Sequence, residues 1–76
     1  METQAKWRGM KGTIKIGRKY IVFRQGDAEA PLGEIRREDG FYIISNHSAI
    51  VENENRKEAI RLWLEKQGVK ILNPQK

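Results

Sequence analysis

His47 is the only histidine in a 76-residue chain that contains no cysteine. Catalysis needs a nucleophile, an acid or base of tuned pKa, or a metal, and each of these needs a second suitable group within reach. A lone imidazole in the run Asn46-His47-Ser48 reads as a turn residue instead. The acids supply no partner: Glu38-Asp39 fall at a hairpin tip, and Glu52 and Glu54 precede a helix, where negative charge meets the helix dipole favourably. No acid pair has the spacing of a metal-binding loop. The glycines are scattered, and none opens a phosphate-cradling loop ahead of a helix. The expectation is a protein that is not an enzyme, with no catalytic residue, cofactor, metal or small-molecule substrate.

What the chain does offer is positive charge mixed with aromatic rings. Net charge is +5, and residues 1–24 hold seven cations against one acid while the remainder holds eight against nine. The excess therefore belongs to the first third, and a localised basic segment attracts polyanions through its field. Trp7 among Lys6, Arg8 and Lys11 could stack on a base while the cations meet phosphates. Tyr20 beside Lys15 and Arg24 is a second such combination, with Arg18 and Lys19 at the turn between them. Each feature also has a plainer reading, Trp7 as a hydrophobic plug for a sheet edge and the cations as a solvated face.

These residues need elements to position them. Thr13-Ile14-Lys15-Ile16 alternates with period two, and Tyr20-Ile21-Val22-Phe23-Arg24 follows after Gly17-Arg18-Lys19, which predicts a β-hairpin. With Arg18-Lys19 at the tip, Ile16 faces Ile21 and Ile14 faces Phe23, leaving Thr13, Lys15, Tyr20, Val22 and Arg24 on the other face. Gln25 to Pro31 reads as a mobile connection. Leu32 to Arg37 and Phe41 to Ser45 then flank Asp39-Gly40, predicting a second hairpin. A two-residue turn pairs Ile35 with Ile44 and a three-residue turn pairs it with Ile43; the second is preferred because it buries Phe41.

Ala49-Ile50-Val51 extends a strand or plugs the core. Asn55 with Glu58 three residues later has the pattern of a capping box, so a helix starts there. Ala59, Ile60, Trp63 and Leu64 share one side of it, with Trp63 in the core, and Gly68 suits a left-handed stop with Val69 packing behind it. Val69 to Leu72 adds a last strand or a tail over the sheet.

The fold expected is α+β: a small antiparallel sheet of two hairpins, about four strands, packed by one C-terminal helix, in the order ββββα with a short C-terminal extension. Residues 1–10 read as a flexible basic segment, 11–72 as one domain and 73–76 as a tail. In architecture this resembles the small sheet-plus-helix DNA-binding domains of some integrases and plant transcription factors. No leader and no run near the ~18 apolar residues of a membrane span is present, which predicts a soluble cytoplasmic protein. The function expected is that of a nucleic-acid-binding accessory domain using Lys6, Trp7, Arg8, Lys11, Lys15, Arg18, Lys19, Tyr20 and Arg24. The alternative is a protein-interaction module, either a homodimer through a sheet edge or an inhibitor or adaptor on an acidic partner surface.

Overall fold

Tight turns set the architecture. The computed structural model describes residues 2–72, so the expected tail at 73–76 lies outside them. Strands β1 (Glu2–Trp7), β2 (Met10–Ile16), β3 (Tyr20–Gln25), β4 (Ala28–Glu38), β5 (Phe41–Ser45) and β6 (Ile50–Asn53) follow one another as hairpins. Helix α1 (Arg56–Lys66) and a two-residue strand β7 (Lys70–Ile71) complete the order. The β1–β2 turn, Arg8-Gly9, has φ of 54° and 78°, and the β4–β5 turn, Asp39-Gly40, has φ of 50° and 84°. Two consecutive positive φ values make the two-residue turn whose twist matches paired strands, and glycine at the second position reaches that region without a Cβ penalty.

The four-strand ββββα expectation is corrected to a seven-stranded antiparallel sheet, in the order β6-β5-β4-β3-β2-β1-β7, curled into a half-barrel with one short helix. Three strands separate the two descriptions. β1 occupies the segment expected to be a flexible leader; its alternation is hidden because only Ala5 and Trp7 are apolar on its inner side. β6 and β7 are the short apolar patches after the second hairpin and after the helix. The likeness to sheet-plus-helix DNA-binding domains rested on the four-strand order and falls with it.

The first hairpin has the expected register, Ile16 opposite Ile21 and Ile14 opposite Phe23. Pairing in the second hairpin is the other alternative: Ile35 faces Ile44 and Glu38 faces Phe41 across the two-residue turn. Asp39 tolerates the left-handed region well enough to close the tighter loop, and Phe41 is consequently left 36% exposed. The connection expected to be mobile at Gln25 to Pro31 is itself a hairpin, with Gln25 opposite Ala28. β4 carries a bulge at Leu32, since Ile21 pairs with Gly33 while Val22 pairs with Pro31.

One face of the sheet, with Ala5, Ile14, Ile21, Phe23, Ile35, Ile44 and Val51, packs with Ala59, Ile60, Trp63 and Leu64 of α1 into a single core. Trp63 is fully buried at its centre. Such a side chain contributes about 1.5–3 kcal/mol or more by leaving water. Asn55 caps the helix by accepting from the Glu58 N–H at 3.1 Å. The glutamate does not reach back as a full capping box would; its carboxylate turns to Arg61 at 2.9 Å. At the other end Gly68 (φ 77°) donates to the Glu65 carbonyl and Val69 to the Leu64 carbonyl, both at 3.0 Å. That paired closure turns the chain back toward β1. α1 lies mainly against β5 and β6, and no helix of the described residues covers the opposite face of the sheet.

Candidate functional site

Alternation along each strand decides which cations reach the open face, because successive side chains point to opposite sides. In β1, Thr3, Ala5 and Trp7 point toward the helix, so Glu2, Gln4 and Lys6 point away. In β2 the outward residues are Lys11, Thr13 and Lys15, and in β3 they are Tyr20, Val22 and Arg24. The face expected from the first hairpin alone is thus present and is widened by β1.

Its most unusual feature is a row of like charges. Lys6 stands directly opposite Lys11 on one side and directly opposite Lys70 on the other. Directly opposed residues have Cβ atoms about 5 Å apart, and like charges there destabilise a sheet. None of the three lysines forms an ion pair with any described residue, and all are exposed. A shallow depression of about 370 Å³ adjoins the row, lined by Gln4, Lys11, Gly12, Thr13 and Leu72. It brings a carboxamide, a hydroxyl and an ammonium within one small area, donors suited to an oxyanion.

Moving away from the β1–β2 turn, charge becomes balanced. Arg24 faces Thr13 and also Glu29, and Lys15 faces Glu2 while its Nζ lies 3.6 Å from the Glu29 carboxylate. This ion pair is solvent-exposed and weak, so Lys15 can exchange Glu29 for another anion. Tyr20 is 50% exposed and lies on a diagonal of Lys15. Five of the cations and aromatics singled out in the sequence, Lys6, Lys11, Lys15, Tyr20 and Arg24, therefore share the open face.

The other four do not. Trp7 points to the helix side, where Nε1 donates to the Gln67 carbonyl at 3.2 Å and its ring packs edge-to-face with Phe23, 5.4 Å between centroids. Arg8, in the turn, lies over that ring at 4.5 Å. Trp7 thus lies half-buried against the core below β1. Arg18 and Lys19 sit in the β2–β3 turn, at the far end of β2 from the lysine row.

Lys70 was missed by sequence reasoning. The alternation Val69-Lys70-Ile71-Leu72 hinted at a strand, but nothing local says that this strand pairs with β1. His47 lies exposed at the tip of the β5–β6 turn, which is held by the Asn46 carboxamide accepting from Ser48 N–H at 2.8 Å and Ala49 N–H at 2.9 Å. Among the described residues, no three His, Cys, Asp or Glu side chains converge in a way that could hold a metal, and no helix is long and apolar enough to cross a membrane. No known protein family, curated protein or solved structure matches the chain.

Proposed function

We propose that this protein is a nucleic-acid-binding accessory domain that grips the phosphate backbone with the open face of β7, β1, β2 and β3. The observation that carries the reading is the row Lys70, Lys6, Lys11, three like charges in one line across three strands, none ion-paired with a described residue. A sheet gains nothing for its own stability from such a row, whereas an anion laid across it relieves the repulsion and releases counterions. Lys15 and Arg24 extend the grip along β2 and β3. From Lys11 to Lys15 is roughly 13 Å at strand rise, enough to follow several phosphates. Tyr20 supplies a ring at the far end for a base exposed by a single strand. Contacts of this kind position without reading sequence.

The test is a titration of a labelled duplex and a labelled single strand at ~50 and ~200 mM salt. With about three phosphates neutralised by the row, affinity should drop roughly 40-fold for the duplex and roughly 20-fold for the single strand over that interval. Absence of binding at ~50 mM salt overturns the proposal. Equal binding of polyglutamate would move the assignment to an acidic protein partner.

One observation favours a second reading, a homodimer through a sheet edge. β6 ends the sheet and carries Ile50 at 61% exposure, and an edge strand with an exposed apolar side chain is a ready template for a second copy. Sedimentation across a hundredfold concentration range decides it, a concentration-independent monomer removing the dimer.

A further inference from the structure

Because α1 lies against β5 and β6, the helix side of the sheet is incompletely covered over β1, β2 and β7. There a groove of about 380 Å³ opens, with Ile16, Ile60, Leu64 and Ile71 along it and Thr3 at its edge. Ile71 is 46% exposed in it. Among the described residues that line it, the charged ones are cations, Arg56, Lys57 and Arg61, on a single helix. Arg56 donates to the Gly17 carbonyl through Nη2 at 2.6 Å, which fixes its guanidinium beside the groove with N–H groups to spare. Arg61 is engaged by Glu58 at 2.9 Å and Glu65 at 3.2 Å. Lys57 is exposed and makes no ion pair with a described residue.

We propose that this groove binds a single-chain anionic amphiphile, an alkyl carboxylate of the free fatty-acid kind. The alkyl chain lies along Ile16, Ile60, Leu64 and Ile71, and the carboxylate meets Lys57 and the free edge of Arg56. Size selects this ligand over a folded partner. From Arg56 to Leu64 the helix rises only about 12 Å, while a stable protein interface takes about 800 Å² from each side. The volume, in contrast, falls within the range of small-molecule sites, which combine apolar walls with a few placed polar groups. Sign selects it too: with Arg61 offset by Glu58 and Glu65, the charges left facing the slot among the described lining residues are Arg56 and Lys57, which favour an anionic head over a neutral or cationic one. The groove lies on the opposite side of the sheet from the lysine row, so this site stands independently of the nucleic-acid reading.

The experiment titrates the whole protein with decanoate below its micelle concentration and follows the methyl resonances of Ile16, Ile60, Leu64 and Ile71. Saturable one-to-one shifts of these methyls are expected, with decanol and decyltrimethylammonium at least tenfold weaker. Affinity should rise about two- to fourfold per methylene from octanoate to dodecanoate. Lys57→Glu should weaken decanoate about tenfold without harming the fold, because an acid in the first helical turn suits the dipole. Ile71→Gln, on an exposed edge, should weaken it as well while leaving duplex affinity unchanged. No saturable shift at these methyls, equal binding of decanol, an unaffected Lys57→Glu variant, or binding to anionic phospholipid vesicles but not to monomeric decanoate would each overturn the proposal.

Discussion

Lys6 of β1 stands directly opposite Lys70 of β7, so the fold brings like charges from near its two ends into cross-strand contact. With Lys11 on the other flank of Lys6, the middle lysine bears the repulsion of both neighbours. Replacing it with a strand-forming neutral residue separates stability from binding. Lys6→Thr should raise the unfolding free energy by about 0.2–1 kcal/mol. The same variant should weaken duplex binding and make the slope of log K against log salt shallower by about one. Chemical denaturation and the salt titration read the two effects, and an unchanged slope would detach the row from binding.

Trp7 and Tyr20 should respond oppositely. Trp7 is held against Phe23 and Gln67 beneath β1, so Trp7→Phe should leave single-strand affinity within twofold while costing about 1 kcal/mol of stability through the lost hydrogen bond. Tyr20→Ala should keep the fold and weaken single-strand binding by about 1–3 kcal/mol, the worth of one stacked base. A loss of affinity in Trp7→Phe comparable to that in Tyr20→Ala would contradict this division.

Gly33 lies directly under the Trp63 indole, and a Cβ there would approach Cη2 to 2.6 Å. Gly33→Ala should therefore destabilise the protein by about 1–3 kcal/mol, as overpacking of a filled core does. The Trp63 indole N–H has no hydrogen-bond partner among the described residues, so Trp63→Phe removes that buried donor as well as volume. In a double-mutant cycle Gly33→Ala should cost distinctly less in the Trp63→Phe background than beside the native tryptophan. Additive costs would show that the two positions do not touch.

Asn46 ties three elements together. Besides holding its own turn, its Nδ2 donates to the Leu32 carbonyl at the β4 bulge at 2.9 Å and to Gln67 Oε1 at the helix end at 3.1 Å. Asn46→Ala should cost about 2–3 kcal/mol, since the lost bonds leave half-buried partners unmet. Asn46→Asp keeps the acceptor that closes the turn but not the donor, so its cost should be smaller in the turn and larger at Leu32. Hydrogen exchange at Ser48 and Ala49, whose N–H groups donate to Asn46, distinguishes the two variants, being faster in Asn46→Ala than in Asn46→Asp.

Acid should weaken one local contact in a defined direction. The Arg61 guanidinium hydrogen-bonds the Glu58 carboxylate and holds its pKa below the usual carboxylate range. A depressed folded-state pKa means that this contact supports the fold above the unfolded pKa, near 4.3, and is lost as pH falls through the lower folded value. Carboxyl titration by NMR should show the Glu58 midpoint rising in Arg61→Gln, and an unmoved midpoint would show the pair to be absent in solution.

The local devices of this fold are legible in the residues themselves. Asp39-Gly40 announces a hairpin, Asn55 and Gly68 bracket the helix, and Trp63 falls on its buried side, because turn chemistry, capping and helical spacing are properties of adjacent residues. The alternation in Thr13 to Arg24 likewise foretells a face carrying Lys15, Tyr20 and Arg24. Other features needed the tertiary structure. Met10 opposite Trp7 defines a strand pair whose β1 partner is too polar to signal burial by itself. The choice between Ile43 and Ile44 as the partner of Ile35 turned on one residue of loop length, which the alternation of a strand with apolar neighbours at both positions leaves open. Above all, the lysine row and the apolar groove are built from segments at opposite ends of the chain. Only the Gly68 turn, which sends β7 back along β1, sets Lys70 beside Lys6 and Ile71 beside Thr3 and Ile16. Charge and hydrophobicity were written in the sequence, but the address of each was decided by long-range strand pairing.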